Sequence, residues 1–239
     1  MLERLVDSVQ VQAIFFMACL FGCGKGTSGL RFAKVVGEND LIMVERDGGN
    51  IPERFRNILR AIGKISNGCT GGHIGGGYVV TAGHCFTSTY SSVLRKDVPC
   101  GGYVYLTWGP GNYLTSSCQN IELLEYHRDR DFALMKVYPV PKVSLKSQVA
   151  DVVERTQKIT IFSYAKKTQN LVWSQECDAT ILRKPTSILG KMTYSCDTVS
   201  GSSGAPLIDA VTHRVIGVHN GAGSFFEFWN YGTMYQKIP

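Results

Sequence analysis

The sequence has few of the features that mark disordered, membrane-spanning or nucleic-acid-binding proteins. Only 18% of its 239 residues are charged and 44% are hydrophobic, which excludes a disordered tail and allows a sizeable core. No compact run of lysine and arginine with interleaved aromatic residues is present, so nucleic acid is not implied as a partner, although the formal net charge is +6. The most apolar N-terminal stretch, Val9 to Gly22, is too short to span a bilayer as a stable helix. A globular fold is therefore expected.

Long stretches with helical periodicity are also scarce. From Ala61 onward, short apolar runs alternate with glycine-rich turns, a pattern that predicts an all-β barrel or sandwich. The predicted strands are Ala61–Ile65, Cys69–Ile74, Tyr78–Ala82, Tyr103–Trp108, Ile121–Tyr126, Phe132–Tyr138, Ile159–Tyr164, Leu171–Glu176, Ala179–Leu182, Lys191–Cys196, Ala205–Ile208, Val215–His219 and Ser224–Trp229. Pro139 to Asp151, with two prolines and polar residues, is the expected link between an N-terminal unit, 35–140, and a C-terminal unit, 141–239.

The first residues have the composition of an export signal. Residues 1–22 contain an apolar centre of signal-peptide length, and 23–34 read as a linker or propeptide. Leu20 to Cys23 resembles a bacterial lipobox, which would make Cys23 the lipidated first residue of a membrane-attached lipoprotein. Ordinary signal-peptidase cleavage nearby and a misassigned start codon remain alternatives. We expect an exported protein, either secreted or held in the bacterial cell envelope.

A turn of small residues lies between two apolar runs from Cys196 to Ile208, and its centre is Ser203. Glycines at 201 and 204 allow the backbone to fold tightly, so that consecutive N–H groups can point into one space that fits an oxyanion. A serine hydroxyl is a weak nucleophile without a base, and the base needs a group to orient it. His84 and Asp131, both at the ends of apolar runs, are the candidates for these two roles.

Three segments resemble the signatures of chymotrypsin-like serine proteases, in that family's order of His, Asp and Ser. They are Thr81-Ala82-Gly83-His84-Cys85, Asp131-Phe132-Ala133-Leu134 and Gly201-Ser202-Ser203-Gly204-Ala205-Pro206. The resemblance implies two antiparallel six-stranded β-barrels with the active site in the cleft between them. It also implies a catalytic triad of His84, Asp131 and Ser203, and an oxyanion hole formed by the N–H groups of Gly201 and Ser203. Peptides or proteins would be the substrates of a monomer that needs no cofactor and no metal.

Three other functions are compatible with parts of this pattern. An α/β-hydrolase has a Gly-x-Ser-x-Gly turn with Ser preceding Asp and His, whereas position 205 is Ala and both candidates here precede Ser203. A zinc site at Cys69, His73, His84 and Cys85 would need reduced thiolates and would leave the serine turn unexplained. A non-catalytic binding protein with a protease fold is the remaining alternative.

Substrate preference depends on Asp197, Thr198 and His219. The chain is similar to bacterial glutamyl endopeptidases, which place a threonine five positions before the nucleophile and a histidine in a Gly-x-His segment of the specificity pocket. Thr198 and His219 match both positions, and a hydroxyl and an imidazole can hydrogen-bond a carboxylate. Cleavage after Glu, with Asp as a second choice, is therefore predicted. Asp197 stands where trypsin-like enzymes carry the aspartate that selects Lys and Arg, so that specificity is the alternative.

Eight cysteines are present, two of them near the N-terminus. The other six indicate three disulfides in an exported domain, although spacing alone does not fix the pairing. The resemblance supports a bridge between Cys69 and Cys85, beside His84. Pairs formed by neighbours in the sequence then follow, namely Cys100–Cys118 and Cys177–Cys196.

Residues 35–40 resemble the mature N-termini of this protease family, so the chain is interpreted as a zymogen that is cleaved after Lys34. In the digestive branch the new amine pairs with an acidic residue immediately before the nucleophile. That position is Ser202 here, so the Val35 amine would be used elsewhere or not at all.

Overall fold

The computed structural model describes residues 35–127, 130–147, 156–181, 189–222 and 230–235. The predicted signal peptide, the linker, Cys23 and Lys34 lie outside the described residues. Within the described ranges, no helix combines the length and the apolarity needed to cross a membrane.

Strands dominate the chain. In order, its elements are β1 (Ile42–Met43), α1 (Glu53–Arg56), β2 (Ile62–Ile65), β3 (Thr70–Gly75), β4 (Tyr78–Thr81), β5 (Ser91–Val98), β6 (Tyr105–Trp108), β7 (Leu114–His127), β8 (Arg130–Tyr138), β9 (Lys146–Ser147), β10 (Thr156–Tyr164), β11 (Leu171–Ile181), β12 (Leu189–Tyr194), β13 (Pro206–Asp209), β14 (Arg214–Ala222) and β15 (Asn230–Tyr235). Short 3-10 helices cover Leu59–Ala61 and Gly83–Cys85.

The first barrel closes six antiparallel strands in the order β7-β6-β2-β3-β4-β8, because β8 also pairs with β7. Strand β5 extends this sheet at β7. Alternate side chains of the strands point inward, and Trp108, Ile121 and Met135 are almost fully buried there. Closure leaves the six barrel strands without an open edge.

The second barrel closes in the order β11-β10-β13-β14-β15-β12, with β12 returning to β11. Strand β1 adds to β11, and β9 pairs with β14 in parallel. The predicted pair of six-stranded antiparallel barrels is therefore confirmed.

An apolar layer joins the two barrels. It includes Val80 and Leu134 of the first barrel and Phe162 and Val218 of the second. Phe55 of α1 packs into the same layer, with its ring centroid 5.7 Å from that of Phe162. Burial of this shared apolar surface stabilises the contact between the two barrels. The candidate site lies where strand ends of the two barrels meet.

The strands differ from the sequence prediction in several places: β1, β5, β9 and β15 are not predicted, and most predicted strands begin or end at least one residue away from the observed bounds. Leu171–Glu176 and Ala179–Leu182 were predicted as separate strands, but 171–181 is one strand, and its polar Glu176 and Asp178 lie on the solvent side. Strand β5 was missed because Ser91–Val98 carries charged residues at an exposed sheet edge. The predicted strand Ser224–Trp229 lies outside the described residues.

Candidate active site

The turn that carries His84 packs tightly against the neighbouring sheet. It follows β4 as the 3-10 helix Gly83–Cys85. A Cβ atom at position 83 would lie 2.0 Å from the carbonyl oxygen of Glu125, so the approach requires glycine. This contact brings His84 next to β7 and to the start of β8, where Asp131 is located.

His84 makes two hydrogen bonds to the Asp131 carboxylate. Its backbone N–H donates to Oδ1 at 2.8 Å, and its Nδ1 lies 2.6 Å from Oδ2. A carboxylate can only accept, so Nδ1 carries the hydrogen and Nε2 is left as the basic nitrogen of the neutral ring. Asp131 is 6% exposed, so this pair is largely shielded from water.

The backbone of Asp131 is held by the second barrel. Asn220 Nδ2 donates to the Asp131 carbonyl oxygen at 2.6 Å, and the Asp131 N–H donates to Thr233 Oγ1 at 3.1 Å. The Thr233 hydroxyl in turn donates to Asn220 Oδ1 at 2.7 Å. These three bonds form a closed ring of buried polar groups, which fixes Asp131 relative to the other barrel.

The Ser203 turn contacts the end of β4, where the His84 helix begins. The Thr70 N–H donates to the Ser203 carbonyl oxygen at 2.8 Å, and Thr81 Oγ1 donates to the Thr70 carbonyl oxygen at 2.8 Å. Gly204 has φ +80°, and a Cβ there would lie 2.0 Å from Thr81 Oγ1. Only glycine permits this approach, which brings Ser203 to the segment that leads into His84.

Two backbone N–H groups of the turn are candidates for donating hydrogen bonds to an anion. No described residue accepts a hydrogen bond from the N–H of Gly201 or of Ser203, whereas the N–H groups of Ser202 and Gly204 bond to carbonyl oxygens. Gly201 has φ +105°, and a Cβ there would lie 2.7 Å from the Lys166 backbone nitrogen. The alternation of bonded and unbonded N–H groups suits a site for a negatively charged oxygen.

Ser202 occupies the position immediately before the nucleophile, where the digestive branch has an acidic residue. Its buried hydroxyl stabilises the serine turn by hydrogen bonds. Its Oγ lies 2.8 Å from Ser163 Oγ and accepts the Val199 N–H at 3.0 Å. The residue is fully buried. Neutral hydroxyls therefore occupy the position that holds an ion pair in the digestive branch.

Asp197 faces the N-terminal segment. Its Oδ1 accepts the Val36 N–H at 2.6 Å, its Oδ2 accepts the Asp40 N–H at 3.0 Å, and the residue is 2% exposed. Burial, followed by the negative charge of Asp197, raises the pKa of the Asp40 carboxyl group. Each Asp197 oxygen is thus engaged by segment 36–40, which does not favour its predicted role in binding a substrate cation.

Thr198 and His219, the predicted glutamate-binding residues, each have a buried polar partner. Thr198 Oγ1 donates to Asn230 Oδ1 at 2.9 Å, and His219 Nδ1 hydrogen-bonds with the Tyr194 hydroxyl. The main chain of His219 is tied to the serine turn, because its carbonyl oxygen accepts the Gly204 N–H at 2.7 Å. His219 is therefore tied directly to the serine turn, whereas Thr198 is tied to Asn230 of β15.

An aromatic pair lies beside the histidine. The ring centroid of Tyr126 is 5.9 Å from that of His84, and the exposed Tyr90 packs on Tyr126 at 4.8 Å. Burial, and secondarily the charge of Asp131, raises the pKa of the Tyr126 hydroxyl. The two rings therefore form an aromatic contact on one side of the His84 ring.

The structure contains the three disulfides named from the sequence, Cys69–Cys85, Cys100–Cys118 and Cys177–Cys196. The sulfurs of Cys69 and Cys85 and a ring nitrogen of His84 lie within 4.8 Å of one another. Because these sulfurs are bonded to each other, they are not the free thiolates that zinc would need. Three disulfides suggest an exported protein folded in an oxidising compartment.

Sequence reasoning missed four polar residues at this site, namely Asn220, Thr233, Tyr194 and Asn230. Asn220 directly follows the predicted pocket residue His219 in the Gly217–Gly221 segment, and this position is a sequence signal that could have identified it. The other three have no local signal, since each reaches the site through strand pairing.

A family model described as a trypsin-like peptidase domain matches residues 69–218, more than half of the chain. No curated protein matches it. Among solved structures, a Glu endopeptidase in complex with MPD is 21% identical, with a TM-score of 0.57, and the match covers 84% of this chain and 94% of that chain.

Two further proteases have similar folds. The active form of Rv3671c protease from M. tuberculosis is 18% identical, with a TM-score of 0.54 and coverage of 86% of this chain and 88% of that chain. A thermostable serine protease, AL20, from an extremophilic microorganism is 15% identical, with a TM-score of 0.52 and coverage of 75% and 93%. At such identities the likeness shows the fold, while the family model shows membership. The chain therefore belongs to the trypsin-like peptidase family and is a serine endopeptidase.

Proposed function

We propose that this protein is an exported serine endopeptidase that uses His84, Asp131 and Ser203 as its catalytic triad and cleaves after glutamate, with aspartate as a second choice. The observation that carries the proposal is the double hydrogen bond between His84 and Asp131, at 2.8 and 2.6 Å, beside the Ser203 turn. The hydrogen on Nδ1 leaves Nε2 as the base that a serine nucleophile requires.

The reaction follows from these roles. Ser203 Oγ attacks the peptide carbonyl carbon while His84 Nε2 takes the hydroxyl proton, and the same nitrogen then gives this proton to the leaving amine. Water, activated by His84 in the same way, hydrolyses the acyl-enzyme. Asp131 holds the ring orientation and stabilises the imidazolium in both steps. Removal of a triad member from such an enzyme lowers turnover by a factor on the order of 10,000 or more.

The oxyanion of the tetrahedral intermediate would bind to the N–H groups of Gly201 and Ser203. Their lack of an acceptor among the described residues supports this assignment, because donors that are already aligned cost no reorganisation during the reaction. Loss of one such donor typically lowers turnover by about 100- to 1000-fold.

Glutamate preference is supported by the arrangement of three residues. Thr198 and His219 are buried polar groups, and the main chain of His219 is hydrogen-bonded to Gly204 and Ala205, which follow Ser203. The Asp197 carboxylate, which would repel glutamate, is engaged by the Val36 and Asp40 N–H groups. A buried carboxylate of the substrate would thus not meet an unpaired negative charge. It would accept the Thr198 hydroxyl hydrogen in place of Asn230 Oδ1, which holds that hydrogen in this structure.

Export is proposed from the apolar N-terminal stretch together with the three disulfides. Residues 1–22 would be removed as a signal peptide, and Cys23 would carry a lipid if the lipobox is used. Processing after Lys34 would convert the zymogen to a form that begins at Val35. The intact mass of protein exported from a bacterial host distinguishes a lipid on Cys23 from cleavage elsewhere.

The test is a set of fluorogenic peptides that differ only in the residue before the scissile bond, with Glu, Asp, Gln, Lys, Arg or Ala there. Protein beginning at Val35 is compared with its Ser203→Ala variant. We expect the highest kcat/KM for Glu and no cleavage by the variant. Preferred cleavage after Lys or Arg would overturn the specificity, and equal cleavage by both proteins would overturn the triad.

A further inference from the structure

We propose that Lys166 binds an acidic side chain of the substrate on the leaving-group side of the scissile bond, at one of the first two positions after that bond. This inference rests on the proposed function and adds a second determinant of specificity to the pocket for glutamate. Lys166 lies outside the three segments that carry the proposed triad, and no motif in the sequence marks it.

The main chain of Lys166 is attached to the serine turn. Its N–H donates to the carbonyl oxygen of Ser200 at 2.7 Å, directly before the proposed oxyanion donor Gly201. Its own carbonyl oxygen accepts a hydrogen bond from the side chain of Gln169, three residues later in the same exposed turn. Both sides of Lys166 are therefore held, and its position relative to Gly201 is fixed.

The side chain of Lys166 lies across Gly68. A Cβ atom at position 68 would be 3.2 Å from Lys166 Cε and 3.3 Å from Lys166 Cδ, so the aliphatic part of the lysine covers this glycine. Lys166 is exposed, an arrangement in which a lysine stem packs on the surface while its ammonium group stays in water. Gly68 adjoins Cys69, whose disulfide partner Cys85 follows His84. The lysine thus extends from the serine turn to the segment beside the histidine.

This segment borders the path of the leaving peptide. In the proposed reaction His84 Nε2 gives its proton to the leaving amine, and the residues that follow the scissile bond are attached to that amine. They must therefore pass close to His84 and to the Cys69–Cys85 bridge beside it. The lysine that crosses Gly68 brings a positive charge to this side of the site.

The surroundings of the Lys166 ammonium group favour a negatively charged partner. None of the ion pairs among the described residues includes Lys166. The three segments that meet here, 64–71, 163–170 and 198–206, contain neither aspartate nor glutamate. An acidic side chain of the substrate would meet a cation without repulsion from these segments. A lysine can follow such a group because its charge sits at the end of a flexible stem.

The experiment uses peptides with glutamate before the scissile bond that differ only at the first or only at the second position after it, with Glu, Gln or Lys there. An extended peptide directs successive side chains to opposite sides, so we expect only one of the two positions to respond. At that position, protein beginning at Val35 should have a kcat/KM about threefold higher for Glu than for Gln, as an exposed ion pair allows. NaCl at about 1 M should abolish the difference by screening.

Three variants assign the effect to one side chain. Lys166→Gln should bring the ratio of kcat/KM for Glu and Gln to about 1, and Lys166→Glu should make Lys the preferred residue at the responding position. The matched control is Lys167→Gln, which removes the same charge from the next residue of the turn and should retain the wild-type ratio. Each ratio compares two peptides with one protein preparation, so a partly unfolded variant still gives a valid ratio.

Equal kcat/KM for Glu and Gln at both positions in the wild-type protein would overturn the inference. An equal fall of the ratio in Lys166→Gln and Lys167→Gln would also overturn it, because the effect would then belong to the general charge of the turn. A wild-type protein that prefers another residue before the bond would overturn the proposed glutamate preference, and the same peptide set with that residue would still test Lys166. Absence of any cleavage would overturn both proposals.

Discussion

Asn220 on the second barrel donates a 2.6 Å hydrogen bond to the carbonyl oxygen of Asp131 on the first. Thr233 completes the ring, since its hydroxyl donates to Asn220 and accepts from the Asp131 N–H. All three residues are buried. The position of Asp131 therefore depends on the barrel that carries Ser203, and the two halves of the proposed triad are coupled through these bonds.

Loss of the hydrogen bond between Asn220 and Asp131 should reduce kcat. In Asn220→Ala the Asp131 carbonyl oxygen and the Thr233 hydroxyl lose their partner, a cost of about 1–3 kcal/mol. We expect kcat on the preferred peptide to fall by roughly 10-fold or more, with a smaller change in KM, because Asp131 would hold His84 less firmly. Asn50→Ala is the control, since its exposed side chain donates to the Met43 carbonyl oxygen and makes no hydrogen bond to a described residue of the triad. An Asn220→Ala protein that is folded and has the kcat of wild type would contradict this role.

Asp197 should contribute to stability and leave the preferred cleavage residue unchanged. Asp197→Asn replaces one of the two oxygens that accept the Val36 and Asp40 N–H groups with a donor. We expect a lower melting temperature and an unaltered order of Glu over Lys in the peptide set. The control is Asp209→Asn, because Asp209 likewise accepts two backbone N–H groups, but in an exposed turn. Lys or Arg cleavage in wild type that is lost in Asp197→Asn would show that Asp197 lines the pocket.

The site residues that can be predicted from the sequence are those that lie in short segments with a recognisable motif. Gly83 and Gly204 are needed because a Cβ at either position would lie 2.0 Å from another atom, and these glycines flank His84 and Ser203. The short apolar runs between glycine-rich turns predict an all-β barrel or sandwich, and the family resemblance implies the pair of barrels. Such signals are contained in short windows, so they can be recognised without knowledge of the fold.

The residues that the sequence does not reveal act across the fold. Tyr194 meets Asn230 only because β12 pairs with β15, and Asn220 meets Asp131 only where the barrels touch. The direction of the Asp197 carboxylate was equally unpredictable, since its partners lie 161 and 157 positions away. Register and barrel packing determine these contacts, and neither can be read from one segment.

The Cys69–Cys85 disulfide should support catalysis as well as stability, because Cys85 follows His84 directly. Its two cysteines are 16 positions apart, and those of Cys100–Cys118 are 18 apart. Loop closure therefore predicts a similar loss of about 3 kcal/mol when either pair is changed to alanine. We expect only the Cys69/Cys85 double variant to lose kcat at a temperature where both variants are folded. Equal kcat in the two variants would limit the first bridge to a role in stability.

His73 should make the protein less stable in mild acid. Burial lowers its pKa, and its ring bridges the Val143 carbonyl oxygen and the Gly77 N–H. The unfolded chain then binds a proton at higher pH than the folded one, so the free energy of unfolding should fall as pH drops below about 6.5. His73→Asn should lose stability at pH 8 but show a shallower decline between pH 7.5 and 5.5 in urea titrations. An identical slope in both proteins would assign the acid sensitivity to other groups.

The most direct test of the central claim is covalent labelling by a serine-directed fluorophosphonate, with the modified residue located by mass spectrometry. The proposed triad predicts a single adduct on Ser203 in protein beginning at Val35, no adduct in Ser203→Ala, and much slower labelling in His84→Ala. An unlabelled wild-type protein, or an adduct on another serine, would contradict the proposed nucleophile.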